Sequence, residues 1–153
     1  MVSSTVTSTE LRTALRDLRI ELSINASRVG TVAGLNDSDL AVLDILARDG
    51  TQSPTDLARR TGIPAATMTG VLARLEGARW IIRRADTADG RRAQIESAGF
   101  ARLAAIYLDA NRRLDEIDAG LTAERASIIL DYLRMVTGAV REASLELATM
   151  QAR

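Results

Sequence analysis

The sequence contains no cysteine, no histidine and no lysine, and the absence of the first two excludes several kinds of site. Without cysteine there can be no disulfide framework, no thiol redox sensor and no thiolate metal site. Without histidine the common zinc sites are also missing, and a serine nucleophile lacks its usual partner base. We therefore expect no metal, no cofactor and no enzymatic activity, although carboxylate chemistry stays open.

Aromatic residues and long apolar runs are also scarce. Aromatic side chains make up 3% of the 153 residues, whereas hydrophobic residues reach 46%, so a core can form but must be mostly aliphatic. No apolar stretch approaches the roughly 20 residues that a bilayer-spanning helix needs. Residues 1–10 lack the basic and apolar regions of a signal peptide. We therefore expect a cytoplasmic chain that makes no contact with a membrane.

The charges are balanced in number but unevenly distributed. All twenty basic residues are arginine, and their number equals that of the twenty acidic residues, so the formal net charge is zero. Residues 56–92 hold eight arginines and four acidic residues, which gives this segment a charge of +4. The remainder of the chain is therefore −4. A basic segment on an acidic body is typical of DNA-binding proteins, and the alternative is the solvated surface of an ordinary domain.

Apolar residues at helical spacing dominate both ends of the chain. Residues 9–29 predict a helix that is capped by Thr9 and followed by a break at Gly30 and Gly34. Its apolar positions cover so much of the circumference that we expect more than one packing partner. Residues 98–118 predict a second helix, and residues 123–150 predict a long last one. We expect 9–29 and 123–150 to hold a homodimer, and the alternative is that they pack only within one chain.

The middle of the chain carries the start and stop signals of three shorter helices. Asn36 caps the first, and Ser53 caps a second that spans roughly residues 54–61. The third starts near Pro64 and runs to about Ala78. Its inward face has four apolar residues at helical spacing: Met68, Val71, Leu72 and Leu75. Two short helices joined by a glycine-containing turn form a helix-turn-helix.

A β-hairpin pattern follows this helix pair directly. Residues 80–84 form a short β-rich run, the Asp89-Gly90 pair is a hairpin turn signal, and residues 93–96 can form the returning strand. A two-stranded hairpin at this place is a wing. We expect Ser97 to cap the helix that comes next.

The predicted fold class is mainly α with a small β-hairpin wing. It is a winged helix-turn-helix with long N- and C-terminal dimerisation helices, in a single chain of residues 1–153. We assign the DNA-binding lobe to residues 35–97. We assign the helical dimerisation lobe to residues 9–29 and 98–150.

The order of these elements resembles the MarR family of bacterial regulators. Residues 56–63 look like the first helix of that family's helix-turn-helix, and residues 67–76 look like its second helix, the recognition helix. Residues 83–91 look like its wing, which ends in the family's Asp-x-Arg signature. Residues 35–43 match the start of its second helix. The resemblance covers nearly the whole chain, and it depends on the order and spacing of the motifs together.

The resemblance implies a sequence-specific transcriptional repressor that binds double-stranded DNA as a homodimer on a pseudo-palindromic operator. It also implies release by a small aromatic or phenolic ligand, to which Trp80, Tyr107 and Arg28 could contribute. Trp80 has an alternative role as a core anchor at the base of the wing.

Three departures from the family pattern put strong readout of bases in doubt. Pro64 stands where the family often has serine, and Gly70 stands where it often has a larger polar or basic residue. The segment 95–99, between the returning strand and the next helix, is about two residues shorter than in the family.

The predicted DNA contacts come from two helix starts, the recognition helix and the wing. They are Ser53, Thr55, Pro64, Ala65, Ala66, Thr67, Thr69, Gly70, Arg74, Arg84, Asp89, Arg91 and Arg92. We expect Arg91 in the minor groove, because a narrow A·T-rich groove attracts arginine. Arg84 and Arg92 are expected at phosphates, and Asp89 is expected to hold Arg91 or Arg74 in place.

The outward face of the predicted recognition helix consists of small residues. At 100° per residue, the face opposite the four apolar side chains holds Ala66, Thr69, Gly70, Ala73 and Gly77. Thr67 and Arg74 lie on its flank. Such a face lets the backbone approach the major groove but offers few side chains for bidentate base contacts. Sequence preference should then come mainly from groove width and deformability.

Two other functions are open at this point. The first is a winged-helix module that binds protein and has lost DNA binding, which zero net charge and Gly70 favour. The arginine-bearing wing argues against it. The second is the dimerisation domain of a larger enzyme such as a methyltransferase. The full-length end helices argue against that function.

Overall fold

The computed structural model describes residues 6–85 and 93–151, and within them the chain forms six helices and one antiparallel hairpin. In chain order the elements are α1 Ser8–Ala33, α2 Asp37–Asp49, α3 Pro54–Thr61, α4 Ala65–Gly77, β1 Ile81–Ala85, β2 Ala93–Ser97, α5 Phe100–Ala119 and α6 Ala123–Gln151. The predicted class, mainly helical with a small β-hairpin, is confirmed. Among the described residues, no helix combines the length and the apolar character needed to span a membrane.

The chain divides into two compact units, Met1–Ile106 and Tyr107–Arg153, and the division falls within α5. The core lies in the first unit, where α2, α3, α4 and the two strands pack against one another. As predicted, it is mostly aliphatic. Its buried side chains include Leu40, Val42, Leu43, Leu46, Leu57, Met68, Val71, Leu72, Leu75, Ile81 and Ile95.

The first helix is longer at both ends than predicted. Thr7, and not Thr9, caps it, because only Thr7 has a glutamate three residues later to complete a capping box. The Thr7 amide donates to the Glu10 carboxylate (2.8 Å), and the Glu10 amide donates to the Thr7 hydroxyl oxygen (3.2 Å). The hydrogen bonds from the Thr7 amide and hydroxyl lower the pKa of Glu10.

Of the two glycines predicted to break the helix, Gly30 lies inside α1. A Cβ atom at this position would be 2.7 Å from the Leu35 carbonyl oxygen and 3.3 Å from the Leu40 side chain. The glycine therefore allows the start of α2 to pass close to α1. The helix ends at the second glycine, Gly34, whose φ of 69° is left-handed.

The described part of the wing is a two-stranded antiparallel hairpin. β1 and β2 pair from Ile81 with Ser97 to Ala85 with Ala93. Ser97 is therefore the last strand residue and not the predicted cap, and the first hydrogen bond of α5 joins the Leu103 amide to the Gly99 carbonyl.

A contact that the sequence did not reveal ties the wing to the helix pair. Gln52, just before α3, extends the hairpin sheet by one residue. Its amide donates to the Ile95 carbonyl (3.1 Å), and its carbonyl accepts from the Ile95 amide (2.8 Å). Because Ile95 is fully buried, the wing is anchored in the core at its middle strand position.

A buried carboxylate connects α2 to α4. The side chain of Asp39 is 2% exposed and accepts a hydrogen bond from the Asn36 amide (3.0 Å), which completes the cap of α2. Arg74 of α4 donates to the same carboxylate from Nη2 (2.7 Å) and Nε (3.2 Å). This hydrogen bonding to Asp39 raises the pKa of Arg74. The partner of Arg74 is therefore Asp39, while Asp89 lies outside the described residues.

We expect Asp39→Asn to destabilise the fold by about 2 kcal/mol, because the variant leaves a charge-assisted hydrogen bond unmade in a buried place. Asparagine can still accept one hydrogen bond from the Asn36 amide, so the helix cap is largely retained. Urea unfolding followed by circular dichroism measures the loss.

Asp37→Asn is the matched control, because Asp37 is an exposed acidic residue in the first turn of the same helix. We expect this variant to change stability by less than about 0.5 kcal/mol. Equal effects of the two substitutions would mean that the pair with Arg74 contributes nothing to the fold.

Candidate nucleic-acid interface

The helix pair α3–α4 is connected by a tight turn at Gly62, whose φ of 71° is left-handed. From this turn α4 directs its apolar face into the core, and the four predicted residues of that face are all buried. The opposite face is exposed along its length. Its residues are Ala66, Thr67, Thr69, Gly70, Ala73, Arg74 and Gly77, as the helical spacing predicted.

This outer face of α4 consists mostly of residues with short side chains. Apart from the adjacent residues and the backbone of α4 itself, no atom of the described residues lies within 4 Å of the place where a Cβ of Gly70 would be, so the helix surface there is open. The Thr69 hydroxyl donates to the Ala65 carbonyl of its own helix (3.2 Å), which leaves its methyl group and oxygen lone pairs outward. A ligand that meets this face therefore meets mainly backbone and methyl groups.

The start of α4 has no side-chain cap. Pro64 occupies the N-cap position and makes no capping hydrogen bond, and the first amide bonded within the turn is that of Met68, to the Pro64 carbonyl (2.8 Å). The amides of Ala65, Ala66 and Thr67 therefore have no intrahelical partner. With the helix dipole, they make this end attractive to an anion.

The start of α3 differs, because its cap is complete. The Ser53 hydroxyl oxygen accepts from the Asp56 amide (3.1 Å), and the hydroxyl donates to the Asp56 carboxylate (2.7 Å). The hydroxyl of Ser53 is thus committed to the helix, whereas Thr55 in the first turn is exposed.

Arginines of the described head, the part of residues 35–97 outside 86–92, are largely paired with nearby carboxylates. The pairs are Arg59–Asp56 (2.6 Å), Arg60–Asp49, Arg74–Asp39 (2.7 Å), Arg83–Glu76 (2.9 Å) and Arg84–Glu96 (2.8 Å). Arg48 also pairs with Asp49. Two of these carboxylates, Asp39 and Asp49, precede the basic segment 56–92, and Glu96 follows it. The positive field of the head is therefore weaker than the charge of that segment alone suggests.

The structure brings most of the predicted contact residues onto one lobe, and leaves three undescribed. Those on α4 and at the start of α3 are exposed or half-buried, and Arg84 lies on β1. Asp89, Arg91 and Arg92 lie in the segment 86–92, outside the described residues.

Asp39 is the residue of this site that sequence reasoning missed. The capping box of Asn36 and Asp39 was readable, but nothing in the local pattern indicated a partner 35 residues away. Within the described ranges, no group of three or more acidic side chains could hold a metal ion.

Comparison with known proteins identifies the family. The sequence model of the MarR family matches residues 33–92. The regulator MhqR of Bacillus subtilis (strain 168), an HTH-type transcriptional regulator, is 30% identical over 105 residues, which cover 67% of this chain and 72% of that protein.

Solved structures agree on the fold. A MarR family protein from Bacillus stearothermophilus superposes with a TM-score of 0.67 at 17% identity, over 87% of this chain and 94% of that one. NadR, solved in complex with 4-hydroxyphenylacetate, gives a TM-score of 0.60 at 25% identity, over 89% of this chain and 96% of that one. The winged helix-turn-helix, the matched segment and the relationship to MhqR together show that this chain is a member of the MarR family of DNA-binding transcriptional regulators.

Proposed function

We propose that this protein is a homodimeric repressor that binds a pseudo-palindromic operator and is released by a small aromatic ligand. The observation that carries the proposal is the outer face of α4, which is exposed along its whole length on a helix whose other face is anchored in the core. A helix presented in this way can enter the major groove of DNA.

The expected contacts divide into positioning and readout. Near the start of α4, the free amides of Ala65, Ala66 and Thr67 bind a phosphate, and Thr55 at the start of α3 reaches the backbone beside them. On the outer face, the methyl groups of Thr67 and Thr69 contact thymine methyl groups. Gly70 brings the helix backbone close to the base edges. Side-chain contacts therefore discriminate little between bases, and most of the sequence preference comes from the width and deformability of the DNA grooves.

The paired arginines remain available to phosphate. Exposed ion pairs contribute only about 0–1 kcal/mol, so a phosphate can replace the carboxylate at little cost. Arg84, whose guanidinium is held by Glu96 at 2.8 Å, is the proposed phosphate contact at the wing. Arg74 differs, because its carboxylate partner is buried and cannot be released to solvent. Its role is to hold α4, with only its outer nitrogen free for DNA.

The dimer is inferred from the surface of α6. This helix of 29 residues has no buried residue among those described, although it carries nine large apolar side chains that are exposed. They are Ile128, Ile129, Leu130, Leu133, Met135, Val140, Leu145, Leu147 and Met150. Only Val29 and Gly30 are buried in α1. Apolar surface on this scale marks an interaction site, and a second copy of the chain is the partner proposed here.

The shape of α6 suits a partner helix. A shallow groove of about 420 Å³ surrounds Gly138 and is lined by Leu130, Leu133 and Thr137, with arginines at its rim. A groove that lies on one helix is too open to enclose a small molecule, whereas a side chain of a facing helix can fill it. Two copies related by a two-fold axis would place two α4 helices on one duplex, which requires an operator with two-fold symmetry.

The proposed effector is a small aromatic or phenolic acid. NadR, at 25% identity, was solved with 4-hydroxyphenylacetate, and BpsR of Bordetella bronchiseptica, which shares the fold, is regulated by 6-hydroxynicotinic acid. In this chain Trp80 is 5% exposed and packs at the base of the wing. That packing supports its role as a core anchor and argues against a role in binding the ligand.

A second candidate function is a winged-helix module that binds protein. It is favoured by the internal pairing of the head arginines and by the zero net charge of the chain. Titration with random duplex DNA at several salt concentrations separates the two functions. Binding that weakens steeply with salt supports the repressor, and no binding at low salt supports the protein-binding module.

We expect Leu133→Glu to convert the dimer to a monomer, because it places a charge on the apolar face of α6. Sedimentation velocity at micromolar concentration measures the change. Met135→Glu is the matched control: Met135 is one of the nine exposed apolar residues (67% exposed), but it lies about 200° around the helix from Leu133, on the side of Asp131 and Glu142 and away from the proposed interface. The control should stay dimeric. A well-folded wild-type monomer would disprove the proposed assembly.

We expect Gly70→Arg to strengthen DNA binding and to steepen its salt dependence by about one unit in log K against log salt. The substitution adds a cation on the open face of α4 and removes a mid-helix glycine that costs about 1 kcal/mol relative to alanine. Gly70→Ala is the control, since it gains the same helix stability without the charge. The measurement is competition between one operator and its scrambled version.

This prediction would be wrong if the wild type already preferred its operator by the ~10⁷-fold upper end of specific binders and Gly70→Arg abolished binding. The small-residue face would then be a close-fitting reader of bases. The proposed dependence on groove shape would have to be given up.

We expect Arg91→Ala to weaken DNA binding and to make log K less steep in log salt by about one unit. The expectation rests on the sequence, in which Arg91 follows the Asp89-Gly90 turn signal between β1 and β2. Arg113→Ala, which removes an exposed arginine of α5, controls for the change in net charge. If Arg91→Ala and wild type share one affinity and one salt slope, the wing makes no such contact.

A further inference from the structure

The two residues that directly follow α4 are held by an arginine of α5. Nη2 of Arg102 donates to the carbonyl of Ala78 (3.2 Å) and to that of Arg79 (3.4 Å). These carbonyls lie at the C-terminal end of the recognition helix, where the helix dipole is negative. A cation placed there satisfies acceptors that have no intrahelical donor.

The same guanidinium lies over the only tryptophan of the chain. The Arg102 Cζ atom is 3.8 Å from the centroid of the Trp80 ring, which is the geometry of a cation–π contact. The ring also lies against Gly99, just before α5, where a Cβ atom would come within 2.2 Å of the ring carbon Cε3. Only glycine at this position lets the ring lie where it does.

The backbone between these two side-chain contacts is bent sharply. Arg79 has a φ of 59°, a left-handed conformation that is unfavourable for a residue with a Cβ atom. Its amide donates to the Glu76 carbonyl (2.9 Å), and the Trp80 amide donates to that of Leu75 (2.8 Å). The Trp80 carbonyl then accepts from both Ala98 (2.9 Å) and Gly99 (3.0 Å), and β1 begins at the next residue.

We propose that Arg102 is a positioning residue for DNA binding. It fixes the point at which the recognition helix ends and the wing begins, by holding the left-handed turn at Arg79 and the ring of Trp80 together. Arg102 acts through these two residues and makes no contact with DNA. The proposal rests on the DNA-binding function proposed above and adds to it a residue from outside the helix pair and the hairpin.

The test measures DNA affinity for Arg102→Met, Arg102→Lys and the matched control Arg113→Met. Arg113 is exposed on α5 and has no ion pair among the described residues. We expect Arg102→Met to weaken binding roughly tenfold, in keeping with the loss of a cation–π contact and a helix-end cation. The salt slope should be unchanged, because a lost phosphate contact would reduce it by about 0.9. Arg102→Lys should restore most of the affinity, and the control should equal wild type.

Trp80 fluorescence gives a second readout, because the chain has one tryptophan. We expect the emission of Arg102→Met to differ from wild type, and that of Arg102→Lys and Arg113→Met to stay close to it. All affinities are compared at a temperature at which circular dichroism shows each variant fully folded. If Arg102→Met does not fold, Arg102→Gln takes its place with the same expected loss and the same salt slope.

The outcomes separate this inference from the function on which it rests. If the wild type binds DNA and the Arg102 variant binds equally well while folded, the positioning role is disproved and the DNA-binding function stands. A loss of affinity with a salt slope reduced by about one unit would make Arg102 a phosphate contact instead, which also overturns the proposal. If the wild type does not bind duplex DNA, the function itself fails, and the inference fails with it.

Discussion

The arrangement of the DNA-binding lobe depends on one buried carboxylate. Asp39 completes the cap of α2 and also holds Arg74 in the last turn of α4, and the Asp39 side chain is almost entirely removed from water. A buried charge is tolerated only when its hydrogen bonds are satisfied, so the two helices must keep the one relative position that satisfies it. The aliphatic contacts below α4 are non-directional, and the pair of Asp39 and Arg74 adds a directional contact between the two helices.

Much of the fold was readable from the sequence, because its helix boundaries follow local rules. Asn36 and Ser53 cap the helices that were assigned to them, and the four inward residues of α4 are all buried. One error was local, because the capping box of Thr7 and Glu10 was overlooked in favour of Thr9. The other errors occurred where distant contacts decided the outcome. Gly30 was taken for a helix end because the approach of α2 could not be foreseen. Ser97 was taken for a cap because its pairing with Ile81 depends on the register of the hairpin.

The candidate site was predictable in its shape but not in its electrostatics. Helical periodicity alone gave the exposed face of α4 and its small residues. The pairing of Arg84 with Glu96 and of Arg74 with Asp39 joins residues 12 and 35 positions apart, so counting charges along the segment overstated its field. Asp39 and Gln52 were missed for the same reason, since each acts through a partner on another element.

The DNA-reading surface of this protein is poor in long side chains, whereas its end helices are rich in exposed apolar ones. The head satisfies its own arginines and presents a recognition helix with little side-chain reach, so a single head should discriminate poorly between sequences. The two end helices, in contrast, leave large apolar side chains exposed, and the proposed dimer depends on this surface. In the proposed dimer, specificity comes less from what one helix reads than from the spacing and angle at which the two heads are held. We therefore expect the contacts that fix each head internally, at Asp39 and Arg102, to affect recognition as well as the residues that touch bases.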